Sequence, residues 1–444
     1  MTIDLSTITF TNGADIVPVS GKEDIVNTGI ANTLAGNDTI TGIGTLDIYN
    51  PSTGSPDGIY NTGTLDTAEG NDIITGTGGF NGIINSGTFN TGEGNEIITG
   101  TGDYYEGIRN SGTFNTAEGN DIITGNGIQV GIDNTGTFNT ANGNDVITGT
   151  GGKYEGIIIA DGSTLDTGNG HDRISGDGRT GIYNGSITFN TGDGNDTIAG
   201  TGSIDGIKNE GLINTGKGKD TIIADGGAYG LSNRSTIDTG DGDDIITAIG
   251  DLDNYGTIDT GDGDDIITGS SAFYQSGTID TGDGDDMITG LGGLYNGDTI
   301  DTGNGNDSII ADGLFIGTNG TINTGDGKDI ITSNNGILND GTINTGNGAD
   351  FIIANGGFYG MGSVFLGNGK DYLNGFGTGN FNGGNNQDTL ELTSGTYTIG
   401  ISGTTVSFTN GDVIMYTSEF EKLKAGNTTH DFISLMDGQT MVVP

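Results

Sequence analysis

Cysteine is absent from this sequence, proline occurs only 4 times, and Lys plus Arg total 13 against 59 Asp plus Glu. Each shortage excludes something. Without cysteine there are no disulfides and no Cys-ligated zinc or iron–sulfur centre. A formal net charge of -46 leaves no basic patch for nucleic acid or for an anionic membrane surface. No apolar run reaches the roughly 18 residues of a membrane-spanning helix. The stretch MTIDLSTITFTNGADIVPVSGKEDIV lacks a basic segment followed by an apolar one, so no cleaved N-terminal signal peptide is expected. His171 and His430 stand far apart, and neither H-E-x-x-H nor G-x-S-x-G occurs, which argues against a zinc protease and a lipase. No enzyme activity is expected; a polysaccharide lyase or epimerase would need basic residues that are scarce here.

What is abundant is glycine, 91 of 444 residues, against about 7% in average usage. There is no collagen triplet, so Gly, Asp, Asn and Thr together imply many tight turns joined by short strands. They are organised by a repeat, T-G-x-G-x-D-x-I. Its acidic residue falls at Asp38, Asp72, Glu96, Asp121, Asp145, Asp172, Asp196, Asp220, Asp244, Asp265, Asp286, Asp307, Asp329, Asp350, Asp371 and Asp388. After a first spacing of 34, the period is close to 24 up to Asp244, then close to 21 up to Asp371, with a last step of 17. Two further short apolar segments accompany each copy, such as Gly82–Asn85 and Thr88–Asn90. Three strands per coil describe an all-β parallel β-helix or β-roll solenoid of about 15 to 16 coils. The residue two after the acid is always Ile or Leu while the residue between varies, so Ile40, Ile74 and Ile98 onward are expected inside and Thr39, Ile73 and Arg173 outside.

The repeat resembles the RTX (haemolysin-type) calcium-binding nonapeptide, G-G-x-G-x-D-x-U-x, and the last copy, Gly383 to Leu392, is near that pattern in its first two positions. The resemblance implies calcium ions between stacked turns. The sixteen acids above would be ligands, with backbone carbonyls near Gly192, Gly194, Gly216, Gly218, Gly240, Gly242, Gly261, Gly263, Gly282, Gly284, Gly303, Gly305, Gly325, Gly327, Gly346, Gly348, Gly367 and Gly369. Calcium takes six to eight oxygens in flexible geometry, and glycine lets carbonyls turn toward it. The departures are a Thr at most first positions and Leu34, Ala68, Ala117 or Ala141 at the second, so weaker sites are expected before about Asp145. Glu96 is expected to bind less well. In the densest turn, Asp259 to Gly269, Asp265 is the expected ligand, sharing the inward face with Ile267; Asp262 and Asp264 would add field rather than bonds. Carboxylates about 4.8 Å apart repel by roughly 0.9 kcal/mol per pair even in water, so folding is expected to need calcium.

Tyr60, Tyr105, Tyr154, Tyr183, Tyr229, Tyr255, Tyr274, Tyr295 and Tyr359 recur beside the second strand; ring contacts between coils are favoured over a glycan-stacking stripe. Ice binding is disfavoured because the third motif position is never Thr and no flat Thr array is evident. The expected domains are a cap or first coil at 1–31, the solenoid at 32–388, and at 389–444 a β-rich cap that resembles, by position, the uncleaved export region read by type I secretion machinery. Within it, EFEKLKAG reads as the one helical turn. Together these imply an extracellular or cell-surface, calcium-folded protein with a structural or adhesive role toward surface glycans or proteins. A carbohydrate-binding or carbohydrate-active β-helix is the alternative, which an Asp/Arg/Lys cluster in a groove on one sheet would favour.

Overall fold

The computed structural model describes residues 2–18, 23–44 and 57–444. The insert behind the first spacing of 34 lies at 45–56, outside the described residues, as do 1 and 19–22 of the expected N-terminal cap. The fold is an all-β parallel solenoid, divided into two compact units: Met1–Asp241 with Thr247–Gly250, and Gly242–Ile246 with Asp251–Pro444.

In the first unit each coil carries three strands, because each coil has three alternating apolar stretches between glycine-rich turns. A motif strand such as Ile97–Gly102 is followed by Glu106–Asn110 and then by Thr113–Asn115. Successive copies pair in parallel without slip: Ile98 stands against Ile74 and Ile123, Ile108 against Ile83 and Ile132, Phe114 against Phe89 and Phe138. Between Arg173 and Asn233 the first two strands of a coil merge into single strands, Arg173–Asn184, Thr197–Asn209 and Thr221–Asn233. In the second unit the first turn shortens and the strands separate again, as in Ile266–Gly269, Phe273–Gln275 and Thr278–Asp280. This is the physical content of the change in period from 24 to 21.

The core is three stacked columns, each about one side chain wide. The expected inward isoleucines, Ile40 through Ile352, are buried. In the third column Phe89, Phe114 and Phe138 stack ring on ring at 4.6 Å. A polar column runs beside them: Asn61 Nδ2 donates to Asn85 Oδ1, Asn85 to Asn110 and Asn110 to Asn134, at 2.8, 2.8 and 2.9 Å. That column explains the Asn closing each Gly-Ile-x-Asn segment, since a buried amide stays in place only when its donors and acceptors are satisfied.

Two expectations are corrected. The stretch read as a helical turn is extended: Lys422–Ala425 pairs in parallel with Thr389–Leu392, so parallel stacking continues beyond Asp388. Between them the strands Gly395–Ser402, Thr405–Asn410 and Val413–Ser418 form an antiparallel meander closed by Thr440–Val443. A threonine array is also present, on strand faces rather than in the turn: Thr75, Thr99, Thr124 and Thr148 stand in register on the outer side of the motif strands.

Candidate metal centre

The turn that carries the repeat is built around its fourth position. Gly143 has φ 157° and Gly327 φ 154°. A Cβ on Gly143 would lie 1.4 Å from the Gly119 carbonyl oxygen, and one on Gly327 1.5 Å from that of Gly305. A side chain is therefore excluded at these turns, where the carbonyl of one turn occupies the space a methyl would need in the next; the last copy alone carries a side chain there, Asn386 at φ 91°. The same point on Gly143 is 3.3 Å from Asp145 Oδ1, so a backbone carbonyl and the motif carboxylate converge there. The second position is left-handed throughout, at φ 80° for Gly192 and 78° for Gly261. Ala68, Ala117 and Ala141 keep this conformation at 58°, 60° and 60°, so the early copies have the same turn as the late ones.

These turns deliver the expected acids to a buried column in each unit; all sixteen are at most 2% exposed. In the first unit the backbone N–H of a rung donates to Oδ1 of the next, except at Asp72, whose next rung is Glu96. Asp38 donates to Asp72 and Asp121 to Asp145 at 2.8 Å, and Asp196 to Asp220 at 2.7 Å. In the second unit the same bond joins Asp244 to Asp265 at 2.7 Å, Asp265 to Asp286 at 2.8 Å and Asp371 to Asp388 at 2.9 Å. Sequence reasoning missed both ends. Asp15 N–H starts the ladder on Asp38 Oδ1, and Glu421 Oε2 ends it by accepting the Asp388 N–H, each at 2.8 Å. Asp15 escaped notice because its turn, FTNGAD, lacks glycine at the second position, and Glu421 because the meander separates it from Asp388.

Oδ1 is thus committed to the fold, and Oδ2 is not. Oδ2 of Asp38, Asp72, Asp121, Asp145, Asp172 and Asp196 is buried without a hydrogen-bond partner, as it is in Asp265, Asp286, Asp329, Asp350, Asp371 and Asp388. The nearby donor is the first-position threonine, whose role the sequence did not reveal. Thr302 donates to Asp307 Oδ2 at 2.7 Å, whereas Thr67 and Thr191 turn to the next coil's threonine carbonyl at 3.3 and 3.4 Å. Burial pushes these carboxyls up, to about 6 at Asp72, Asp265 and Asp350 and to about 7 at Asp145, Asp196, Asp286 and Asp371. Desolvation is the largest cause at each, ahead of neighbouring carboxylates. Burial of each charge is thus a larger penalty than the repulsion between carboxylates argued from the sequence, and acts in the same direction.

Glu96 differs from the aspartate rungs. Neither of its carboxylate oxygens has a partner, and burial, with Asp121 and Asp72 adding to it, pushes its carboxyl up to about 10. The fifth motif position forms a second, exposed ladder that was not expected. Asp264 accepts the Asp285 N–H at 2.9 Å, and its own N–H donates to Asp243 at 3.2 Å, so it contributes bonds as well as field. Exposed His171 belongs to this ladder through Nδ1, which accepts the Asn195 N–H at 2.8 Å.

Among the described residues no three Asp, Glu or His side chains gather into a metal cluster. A carboxylate oxygen without a hydrogen-bond partner, as at Asp145 and Asp265, beside carbonyls of the glycine turn fits a hard cation that takes most of its oxygens from backbone. It does not fit zinc, which needs nitrogen or sulfur ligands.

No family model matches the chain, so its likeness to the haemolysin-type repeat stands on the motif residues themselves, and no curated protein matches it. Among solved structures, a hyperactive, Ca2+-dependent, beta-helical antifreeze protein from an Antarctic bacterium is similar at 16% identity, covering 96% of each chain with a TM-score of 0.39. Likeness at that level speaks neither for nor against a shared ligand.

Proposed function

We propose that the chain binds calcium ions along its motif edge and folds on binding them, as an extracellular or cell-surface protein with a structural role. The observation that carries this is the buried Oδ2 atom left without a hydrogen-bond partner at rung after rung, Asp72, Asp145, Asp265 and Asp350 among them. A buried anionic oxygen without a partner is strongly unfavourable, and a repeated one would accumulate through the coils. Asp121, Asp145, Asp265, Asp350 and their equivalents would hold the ions, with carbonyls of the turn glycines. Calcium would supply charge neutralisation and a crosslink between successive turns. A chain of net charge -46 that stays unfolded where calcium is scarce also suits export before folding. Residues 389–444 fused to a passenger should carry it through a type I system; a retained passenger refutes that part. The calcium reading is tested by far-UV circular dichroism at pH 8: a β spectrum lost in EDTA and restored by calcium, but not by magnesium, is expected, and an unchanged spectrum at that pH overturns it.

Contact with ice is a second reading, supported by the register of Thr75, Thr99, Thr124 and Thr148 beside exposed Ile73, Ile97 and Ile122. Methyl and hydroxyl groups repeated without charge can order water beside them. Thermal hysteresis of the calcium-loaded chain, abolished by Thr99→Lys, is the expected result; its absence in the wild type refutes this reading.

A further inference from the structure

The tyrosines that recur beside the second strand fall into two kinds, those packed against other rings, as Tyr105 is against Phe80 and Tyr104, and those left open. In the second unit Tyr274, Tyr295 and Phe315 stack on one another, with centroids 4.9 and 4.5 Å apart, so their faces are spent on ring contacts. In the first unit Tyr154 and Tyr229 stack on no other ring among the described residues and stay 36% and 40% exposed. Tyr154 meets a cation instead, the Lys153 ammonium 4.8 Å from its centroid.

These rings lie on one edge with charged groups of both signs. Backbone hydrogen bonds stack Tyr105, Gln129, Tyr154 and Arg179 one per coil. The next column over aligns Glu155, Thr180, Asp205 and Tyr229 in register. The Thr180 hydroxyl donates to Asp205 Oδ2 at 3.1 Å, which fixes that carboxylate. Behind it Tyr183 and Lys208 both bond Glu210 at 2.8 Å, which holds the floor rigid. A groove of about 430 Å³ runs between Glu155, Arg179, Asp205 and Lys208. Exposed Arg179 takes no carboxylate partner among the described residues, although the chain is strongly acidic. An open guanidinium beside two carboxylates and exposed aromatic faces offers donors, acceptors and a stacking surface together.

We propose that this edge of the first unit binds a neutral, extended polysaccharide lying along the coil-stacking direction. Glu155 and Asp205 would accept its hydroxyl protons, Arg179 would donate to its oxygens, and the rings of Tyr154 and Tyr229 would take sugar faces. The net charge of -46 disfavours polyanionic glycans. The step between coils, about 4.8 Å, is close to the length of one pyranose unit, so successive sugars meet successive residues of these two columns. The site needs a folded solenoid but no particular cation, so the calcium reading can fail while this one stands.

Affinity electrophoresis of the full calcium-loaded chain in gels containing hydroxyethyl cellulose, laminarin or pullulan, with alginate as the acidic arm, tests it. At least one neutral polymer should retard the wild type. Tyr154→Ala, Arg179→Ala and Asp205→Asn should each weaken retardation about tenfold, the loss of one good contact, with unchanged circular dichroism. Tyr295→Ala in the second unit should retain wild-type affinity. No retardation by any neutral polymer, retardation by alginate alone, or equal binding by folded variants of the groove would overturn the proposal.

Discussion

A carboxylate with one oxygen bonded and the other bare is the feature on which the molecule turns. At Asp145 the bonded oxygen could be supplied as well by an amide, whereas the other has only the Thr140 hydroxyl near it and is open to a cation. Asp145→Asn therefore has opposite expected effects in two conditions. Without metal at pH 8 it removes a buried charge and should stabilise by on the order of 3 kcal/mol. With calcium it removes a ligand and should destabilise; urea titrations in EDTA and in calcium read both signs, and the same sign in both would refute the role assigned to Asp145. The pH dependence follows from the same group. Folded carboxyls at about 6 to 7 lie above the unfolded value of about 3.9. Between those values the native chain binds more protons than the unfolded one, so metal-free stability is fully present below about pH 4 and is lost as pH rises through 6 to 7. In EDTA the β spectrum should persist at pH 5 and disappear by pH 8; a metal-free spectrum stable at pH 8 would contradict this. The acids themselves were legible in the sequence because a period repeated through sixteen copies marks them. Their threonine partners were not, because a buried hydroxyl and a turn-forming hydroxyl look alike in a sequence.

At the scale of elements, the turn matters more than the strand. Strand positions tolerate Ile, Val, Thr, Arg or Tyr outward, since period two separates the faces. The fourth turn position tolerates almost nothing, because a neighbouring carbonyl lies where Cβ would be. Gly143→Ala should destabilise the calcium-loaded chain by about 3 kcal/mol or more. Gly168→Ala, at φ 75° and with its added Cβ 2.0 Å from the Ala141 carbonyl oxygen against 1.4 Å at Gly143, should lose less than Gly143→Ala, because the chain itself houses alanine at the equivalent Ala117 and Ala141. Urea unfolding midpoints in calcium check the ordering, and equal losses would refute it. The strands were legible from alternation and glycine spacing. Lys422–Ala425 was not, since Glu-Lys-Leu-Lys suits a helix locally and becomes a strand only because Thr389–Leu392 offers a parallel edge. The Thr-x-Thr rows outside the motif strands were in plain sight but were weighed only in the turn.

For the whole molecule, charge is partitioned rather than merely abundant. The acidic excess is divided between the buried column and the exposed turn positions. Basic residues gather instead between Arg173 and Arg234, where the groove of the first unit lies. The solenoid class was legible from length, period and composition. Its division into two units was not, because the motif runs on without interruption while the shortened turn changes how strands join. What unifies the molecule is the claim that each buried rung is neutralised by a shared cation. Equilibrium dialysis against radioactive calcium at pH 7.5, with magnesium in excess, tests it most directly. On the order of ten or more ions per chain, taken up together with the β spectrum, is the predicted result for coils that each offer a bare carboxylate oxygen and turn carbonyls. A fully formed β spectrum with one calcium or none bound would contradict it.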